Sequence, residues 1–266
     1  MEFTMNQIAC ATNDWIEGFR NWKLGVQLAL EDIRDRYRRS VLGILWVTAT
    51  FLLFIGIKAF VFSSMNAMSM AAFTQYLTIG FALWTLINML VVDGSATLVR
   101  SRQWVLSSSL SYAIYILQAV FRSFLNFMLV AIAAIIILAF TKMSLTSAAF
   151  SIIPAFVLYF VTGIWVSALL APICARFRDI LYALQTGMRI MFFATPIIWT
   201  PTPGTTRGLI ALWNPFTHYL EIVRDPLIHG TVPVQSWIIV GSISLVGIIA
   251  ASFSYTVTRD RVAFWV

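Results

Sequence analysis

The chain has 266 residues, 60 % of them apolar and 11 % charged, with a formal net charge of +7. Its mean hydropathy is +0.85. Soluble domains run at about 45–50 % apolar and about 25 % charged, so this composition excludes a soluble enzyme, a disordered tail and a collagen-like chain. Long apolar runs also exclude an outer-membrane barrel, whose strands alternate apolar and polar residues. An all-α polytopic membrane protein remains. Of the 18 basic residues, 15 are Arg, and most sit between apolar runs. That distribution reads as membrane topology rather than nucleic-acid binding. Two distant cysteines (Cys10, Cys174) and two histidines predict neither a disulfide framework nor a metal site. Glu2, Asp14 and Glu17 interrupt the N-terminal segment, so no signal peptide is expected.

In chain order, the first element is a helix over residues 15–38 within a cytoplasmic segment 1–39. Trp15, Phe19, Trp22, Val26, Leu30, Ile33 and Tyr37 recur at spacings of three or four, one face of a helix. Asp32–Arg36 and Asp35–Arg39 are acid-before-base pairs at i,i+4. Aromatic residues with a basic C-terminal end fit a helix lying in the membrane interface; docking against protein is the other reading. Six spans are then predicted, each near the roughly 20 apolar residues that cross hydrocarbon: 40–60, 71–92, 112–140, 149–173, 180–199 and 234–257. Placing the N-terminus inside leaves 1–39, 94–111, 174–179 and 258–266 cytoplasmic. Those segments hold twelve of the 18 basic residues, which favours both termini inside.

Residues 200–233 break the pattern. Six of the eight prolines fall between Pro196 and Pro233, and the apolar pieces on either side of Asn214-Pro215 are too short to span. Two short helices that dip in from outside and return are expected, since such backbone survives only where protein or water satisfies it. Asn214, Pro215, His218, Glu221 and Arg224 are the polar and turn residues of this re-entrant segment.

Several chemistries are missing. No glycine is followed by lysine, so the chain has no P-loop of its own, and no HExxH, GxSxG or CxxC occurs; no catalytic residue is assigned. Mid-span carboxylates, which proton- and sodium-driven transporters use, are also lacking, so an energy source on a separate subunit is expected. Arg122 and Arg189 fall inside spans, where a basic side chain costs about 2.5–3.5 kcal/mol on insertion scales. Snorkelling to the interface and facing a conduit or phosphate both remain open. Arg34, Arg36, Arg38 and Arg39 have two readings as well: positive-inside anchoring, or recognition of a lipid diphosphate by bidentate guanidinium pairing. Among the many aromatics, Trp46, Phe51, Phe81, Trp84 and Trp199 are candidates for a sugar-stacking channel lining.

The run from Asp32 through Tyr37 to Ser40, leading into Leu42-Gly43-Ile44-Leu45-Trp46, coincides with Arg176-Phe177-Arg178-Asp179-Ile180 and with Asn214-Pro215 ahead of His218, Glu221 and Arg224-Asp225-Pro226. Together these resemble the membrane subunit of bacterial polysaccharide ABC exporters, the type-2 permeases that export O-antigen, and more distantly capsule and teichoic-acid permeases. The resemblance covers about residues 15–260. It implies six spans, a homodimer in the inner membrane and two ATPase subunits carrying ATP and Mg. It implies a glycan on an undecaprenyl diphosphate carrier as substrate. It makes 94–111 a coupling helix with Arg100, Arg102 and Trp104 as ATPase contacts, and Arg176, Arg178 and Asp179 a second contact. The 15–38 helix becomes a gate helix, with Arg34, Arg36, Tyr37, Arg38 and Arg39 beside the lipid. A membrane glycosyl- or acyltransferase is the competitor from another class; it would have to use His218 with Glu221 or Asp225.

Overall fold

With no water in hydrocarbon to receive backbone N–H and C=O groups, each segment must satisfy its own. Every described element is accordingly helical. The computed structural model describes residues 2–38, 40, 42–63, 68–108, 110–143, 146–202 and 204–266. In chain order the helices are α1 (Glu2–Arg20), α2 (Trp22–Tyr37), α3 (Leu45–Ser63), α4 (Met70–Asn88), α5 (Thr97–Arg100), α6 (Arg102–Ser107), α7 (Tyr112–Phe140), α8 (Ile152–Arg176), α9 (Arg178–Ala194), α10 (Thr206–Trp213), α11 (Pro215–Ile228), α12 (Val234–Thr258) and α13 (Val262–Trp265). A π-helical turn at Met89–Asp93 prolongs α4, and a 3-10 turn at Ser147–Ser151 leads into α8.

Among the described residues four helical stretches are long and apolar enough to cross a membrane: Met70–Asp93, Tyr112–Phe140, Ser147–Arg176 and Val234–Trp265. The chain is therefore a multi-pass all-α membrane protein. Where the first and fifth spans are predicted stand α3, 19 residues long, and α9. The apolar stretch of α3 is Leu45–Val61. α9 has 17 residues and carries Arg178, Asp179 and Arg189.

α7 is the central post: α1, α2, α3, α4 and α8 all pack on it. Its start is set by Ser111, whose Oγ accepts from Ala113 N at 3.3 Å and donates to the Asp14 carbonyl at 2.8 Å. The core runs between α4, α7, α8, α11 and α12 through Leu77, Leu86, Val120, Ala155, Tyr159, Leu220 and Val240. Small residues bring helices close, as in other membrane bundles. A Cβ on Gly94, just past the π-helical turn, would overlap Ser167 Oγ of α8, and one on Gly163 would lie 2.6 Å from Leu90 Cδ2.

The single helix predicted over 15–38 is instead two. α1 reaches Arg20, Asn21 takes φ −98°, ψ 25°, and α2 begins at Trp22. The face against the bundle is set mainly by the small residues beside the aromatic stripe: Ala11, Gly18, Gly25 and Ala29 are buried together with Ile33 of the stripe, whereas Phe19, Trp22 and Leu30 are about half exposed. Gly18 has Ala113 where its own Cβ would go. Close approach to α7 needs small side chains, which leaves the bulky apolar ones outward. Thus α2 is docked on protein along one face and presents an apolar aromatic stripe on the other. The predicted Asp32–Arg36 pair is also replaced, because Asp32 turns onto α7. The Asp35–Arg39 pair lies outside the described residues.

α1 is clamped to the other end of the chain. Asp14 is buried; Arg259 Nε and Nη2 donate to its two carboxylate oxygens at 2.5 and 2.9 Å, and Tyr255 Oη donates at 3.2 Å. Breaking a buried, hydrogen-bonded ion pair from one side leaves an uncompensated charge. Asp14→Ala should therefore lower stability by about 3 kcal/mol, read as earlier loss of helical circular dichroism on heating in detergent. The Asp14→Ala/Arg259→Ala double variant should lose less than the sum of the single losses. Strictly additive losses would show that the two side chains do not act together.

Candidate functional site

Two polar constellations interrupt the apolar bundle. The first is a cleft of roughly 440 Å³ where α2, the α5–α6 segment and α7 meet; Asp32, Arg36, Arg100, Trp104, Tyr115, Gln118 and Arg122 are on its walls. Arg122 is buried, with 6 % exposure. Its Nη1 donates to Asp32 Oδ2 at 2.5 Å, and Gln118 Nε2 donates to the same oxygen at 2.9 Å. Its Nη2 is sealed from solvent and has no partner. Arg100 pairs with Asp93, at the end of the π-helical turn, at 2.7 Å. Thr97 Oγ1 donates to the Tyr115 carbonyl at 3.0 Å and fixes α5 to α7.

The cleft unites residues that the sequence assigned to two different roles, Arg36 to the gate and Arg100 and Trp104 to ATPase coupling. Arg34 and Arg38 are exposed beside it and Tyr37 is half-buried; Arg39 lies outside the described residues. The predicted 94–111 segment forms two short helices hinged at Ser101 rather than one, with Arg102 and Trp104 exposed. Arg176, Arg178 and Asp179 are exposed at the α8–α9 junction. The Arg176 guanidinium lies 4.9 Å from the Phe177 ring centroid and 5.3 Å from that of Trp265 in α13.

The predicted channel aromatics separate into two groups. Phe51, Phe81 and Trp84 are buried within the chain. Phe81 and Trp84 join a ring cluster with Phe54, Phe192 and Phe216 at centroid distances of 4.7 to 5.8 Å. Trp46 is 47 % exposed. Trp199 is half-buried and its Nε1 donates to the Phe193 carbonyl at 3.1 Å. Arg189 is exposed on α9.

The second constellation is the segment between α9 and α12. It contains two short helices, α10 and α11, broken at Asn214-Pro215 as the sequence predicts. Asn214 caps α11 by accepting from Phe216 N at 2.9 Å, and its Nδ2 donates to Thr195 Oγ1 at 2.9 Å. Proline suits the first helical position, where its missing N–H is no loss. Arg224 is buried; its Nη1 donates to the Pro196 carbonyl at 2.7 Å, and its guanidinium lies 4.2 Å from the Tyr76 ring centroid. Tyr76 Oη donates to the Pro196 carbonyl as well, at 2.9 Å. His218 shares hydrogen bonds with Ser236 Oγ through Nδ1 and with the Leu212 carbonyl through Nε2, both at 3.0 Å. Ser236 Oγ donates to Glu221 Oε2 at 2.6 Å. Asn214, His218, Glu221 and Arg224 are thus each hydrogen-bonded, in three local groups, and Pro215 opens α11. Their partners Thr195, Tyr76 and Ser236 carried no sequence signal, being ordinary residues in apolar runs.

No protein-family model matches the chain. Two curated proteins are similar to it over most of both lengths, each named O-antigen export system permease protein RfbA. That of Klebsiella pneumoniae is 24 % identical over 211 residues, covering 77 % of this chain and 80 % of the relative. That of Myxococcus xanthus is 22 % identical over 246 residues, covering 90 % and 93 %. The type-2 permeases that the motifs resemble and the proteins found by comparison are the same kind of protein.

The α11 network has a pH signature. The hydrogen bond to Glu221 raises the His218 pKa above its usual 6.5, outweighing desolvation. Burial pushes the Glu221 carboxyl up, but the His218 and Ser236 hydrogen bonds overcome this and leave it below 4.5. A raised histidine pKa stabilises fully below the unfolded value and is lost as pH rises through the folded one; a depressed carboxyl stabilises above its unfolded value and is lost as pH falls through its folded one. The α10–α12 junction should be tightest between about pH 5 and 6 and loosen above about pH 7. Amide exchange across 215–228, corrected for intrinsic rates, should accelerate over that upper range in the wild type and not in His218→Gln. A flat wild-type profile would contradict the assignment.

Proposed function

We propose that the chain is the membrane permease of an ATP-driven exporter of a lipid-linked polysaccharide in the bacterial inner membrane, O-antigen being the glycan that best fits its relatives. The observation that carries the reading is the inner cleft. A permease without a P-loop must receive work from a partner and deliver it to the substrate path. Here the exposed Trp104, the interface helix α2 and the central post α7 share one cavity wall. In this reading Arg100, Arg102 and Trp104 dock into one ATPase subunit, with Arg176, Arg178 and Asp179 as a second contact. ATP and Mg reside on that partner. Both chain termini face the cytoplasm, α3 and α9 complete six spans, and α10–α11 form the outer re-entrant segment.

A single bundle is filled by its own core, so a conduit needs a second copy. A closed twofold pair is the commonest arrangement for such assemblies. The substrate is a glycan on undecaprenyl diphosphate, admitted beside α2 where Arg34, Arg36 and Arg38 are exposed. Trp46 and Trp199 keep exposed ring surface for a saccharide. Capsule or teichoic-acid polymer is the nearest alternative cargo. A transferase using His218 is disfavoured, because both of its ring nitrogens are engaged within the chain.

Mild-detergent purification of the tagged chain from its native membrane should bring down a P-loop ATPase at about one copy per chain, the stoichiometry of a twofold assembly. Trp104→Ala and Arg100→Ala should abolish surface glycan while membrane insertion is retained. A chain that purifies alone, or export untouched by both substitutions, would overturn the reading.

A further inference from the structure

Arg122 is bonded in an unusual way. Two donors, its Nη1 and Gln118 Nε2, meet at one oxygen, while its Nη2 makes no hydrogen bond. The Asp32 carboxylate meets both donors through that oxygen, Oδ2, at 2.5 and 2.9 Å, and leaves Nη2 buried and unpartnered. A guanidinium is a planar fork made for two oxygens at once. An unmet donor in such a place costs the full desolvation of the group. Arg122 is only 6 % exposed, whereas the Asp32 side chain is 37 % exposed at the cleft. The cation is therefore held inside the bundle, while its carboxylate partner can be reached from the cleft. The backbone contacts of α2 do not depend on Asp32, since Gly25 and Ala29 supply them.

We infer that Arg122 and Gln118 form the seat of a phosphate-class oxyanion, and that Asp32 occupies this seat in the unliganded chain. A tetrahedral oxyanion offers an oxygen to each of the three donors, where the carboxylate offers one oxygen to two. Arg36, one helical turn beyond Asp32, lines the same cleft and meets an anion that extends outward. Exchange is obligatory: removing Asp32 without a replacement strands a buried guanidinium, so the carboxylate is displaced only when an anion takes over. Displacement frees the one ionic tie between α2 and α7 among the described residues. The seat stands on the bonding at Arg122. That the anion belongs to a prenyl lipid rests on the proposed function.

The test uses the full chain in phosphatidylcholine nanodiscs, titrated calorimetrically with farnesyl diphosphate, inorganic pyrophosphate and farnesol. Farnesyl diphosphate should bind, pyrophosphate more weakly and farnesol not at all. Asp32→Asn, which removes the competing charge, should tighten diphosphate binding by about tenfold, the scale of one charge-assisted hydrogen bond. Arg122→Gln should abolish binding. Since Arg122→Gln strands Asp32, the Asp32→Asn/Arg122→Gln pair, which leaves no charge buried, serves as the folded control and should not bind. Pyrophosphate binding as tightly as farnesyl diphosphate would keep the seat and overturn its lipid source. Unchanged or weaker binding in Asp32→Asn, or binding retained in the double variant, would overturn the seat itself. Asp32-sensitive diphosphate binding in a chain that purifies without an ATPase would defeat the transport reading and leave the seat standing.

Discussion

A guanidinium inside an apolar bundle must be given partners, because its hydration is lost and it does not deprotonate. The chain places two there, Arg122 on α7 and Arg224 on α11, 6 % and 3 % exposed. Each takes a hydrogen-bond acceptor from outside the four long apolar helices. Arg122 takes Asp32 from the interface helix; Arg224 takes the Pro196 carbonyl from the turn after α9. The two irregular parts of the molecule, one at each end of the bundle, are attached through these cations. Apolar packing alone would not specify where they sit, since dispersion in lipid and in protein is nearly equal.

The two attachments differ in kind. At Arg224 the acceptor is a backbone carbonyl that cannot move without breaking the turn, and Tyr76 donates to that same carbonyl while its ring covers the guanidinium. His218, Ser236 and Glu221 brace the other side of α11. That end is built to stay. At Arg122 the acceptor is a side-chain carboxylate on an exposed helix face, and a better oxyanion can replace it. One end of the bundle is fixed through a backbone carbonyl and the other through a side chain that lines an open cleft.

What was legible in the sequence follows from the range of the interactions. Apolar runs and Asn214-Pro215 are local, so the four long helices and the α10–α11 break could be read from spacing. Arg122 was conspicuous as a charge in a span, yet its partner is 90 residues away, and the local rule offered Asp32–Arg36 instead. Asp14 and Arg259 are 245 residues apart and gave no signal at all. The interface helix misled for another reason. Amphipathic periodicity finds the bulky stripe, whereas the contact with α7 is set by the smallest side chains beside it, and Asn21 breaks the helix between the two halves of that stripe. α9 ends at Ala194, short of its predicted span, because Thr195 precedes Pro196 and takes an extended backbone.

The inner cleft is also where the surface segment is joined to the bundle. α5 is fastened to α7 through Thr97 and Tyr115, and Arg100 to Asp93 at the end of a π-helical turn. π-helical turns hold a register that a small shift can relieve. Directly after it, Gly94 packs against Ser167 of α8 without room for a methyl group. The segment that carries Trp104 is thus tied to the end of α4 through Arg100 and Asp93, and that end is packed on α8 at Gly94. In the proposed reading of a permease driven by a partner subunit, this short segment touches both the end of α4 and the cleft that holds Asp32.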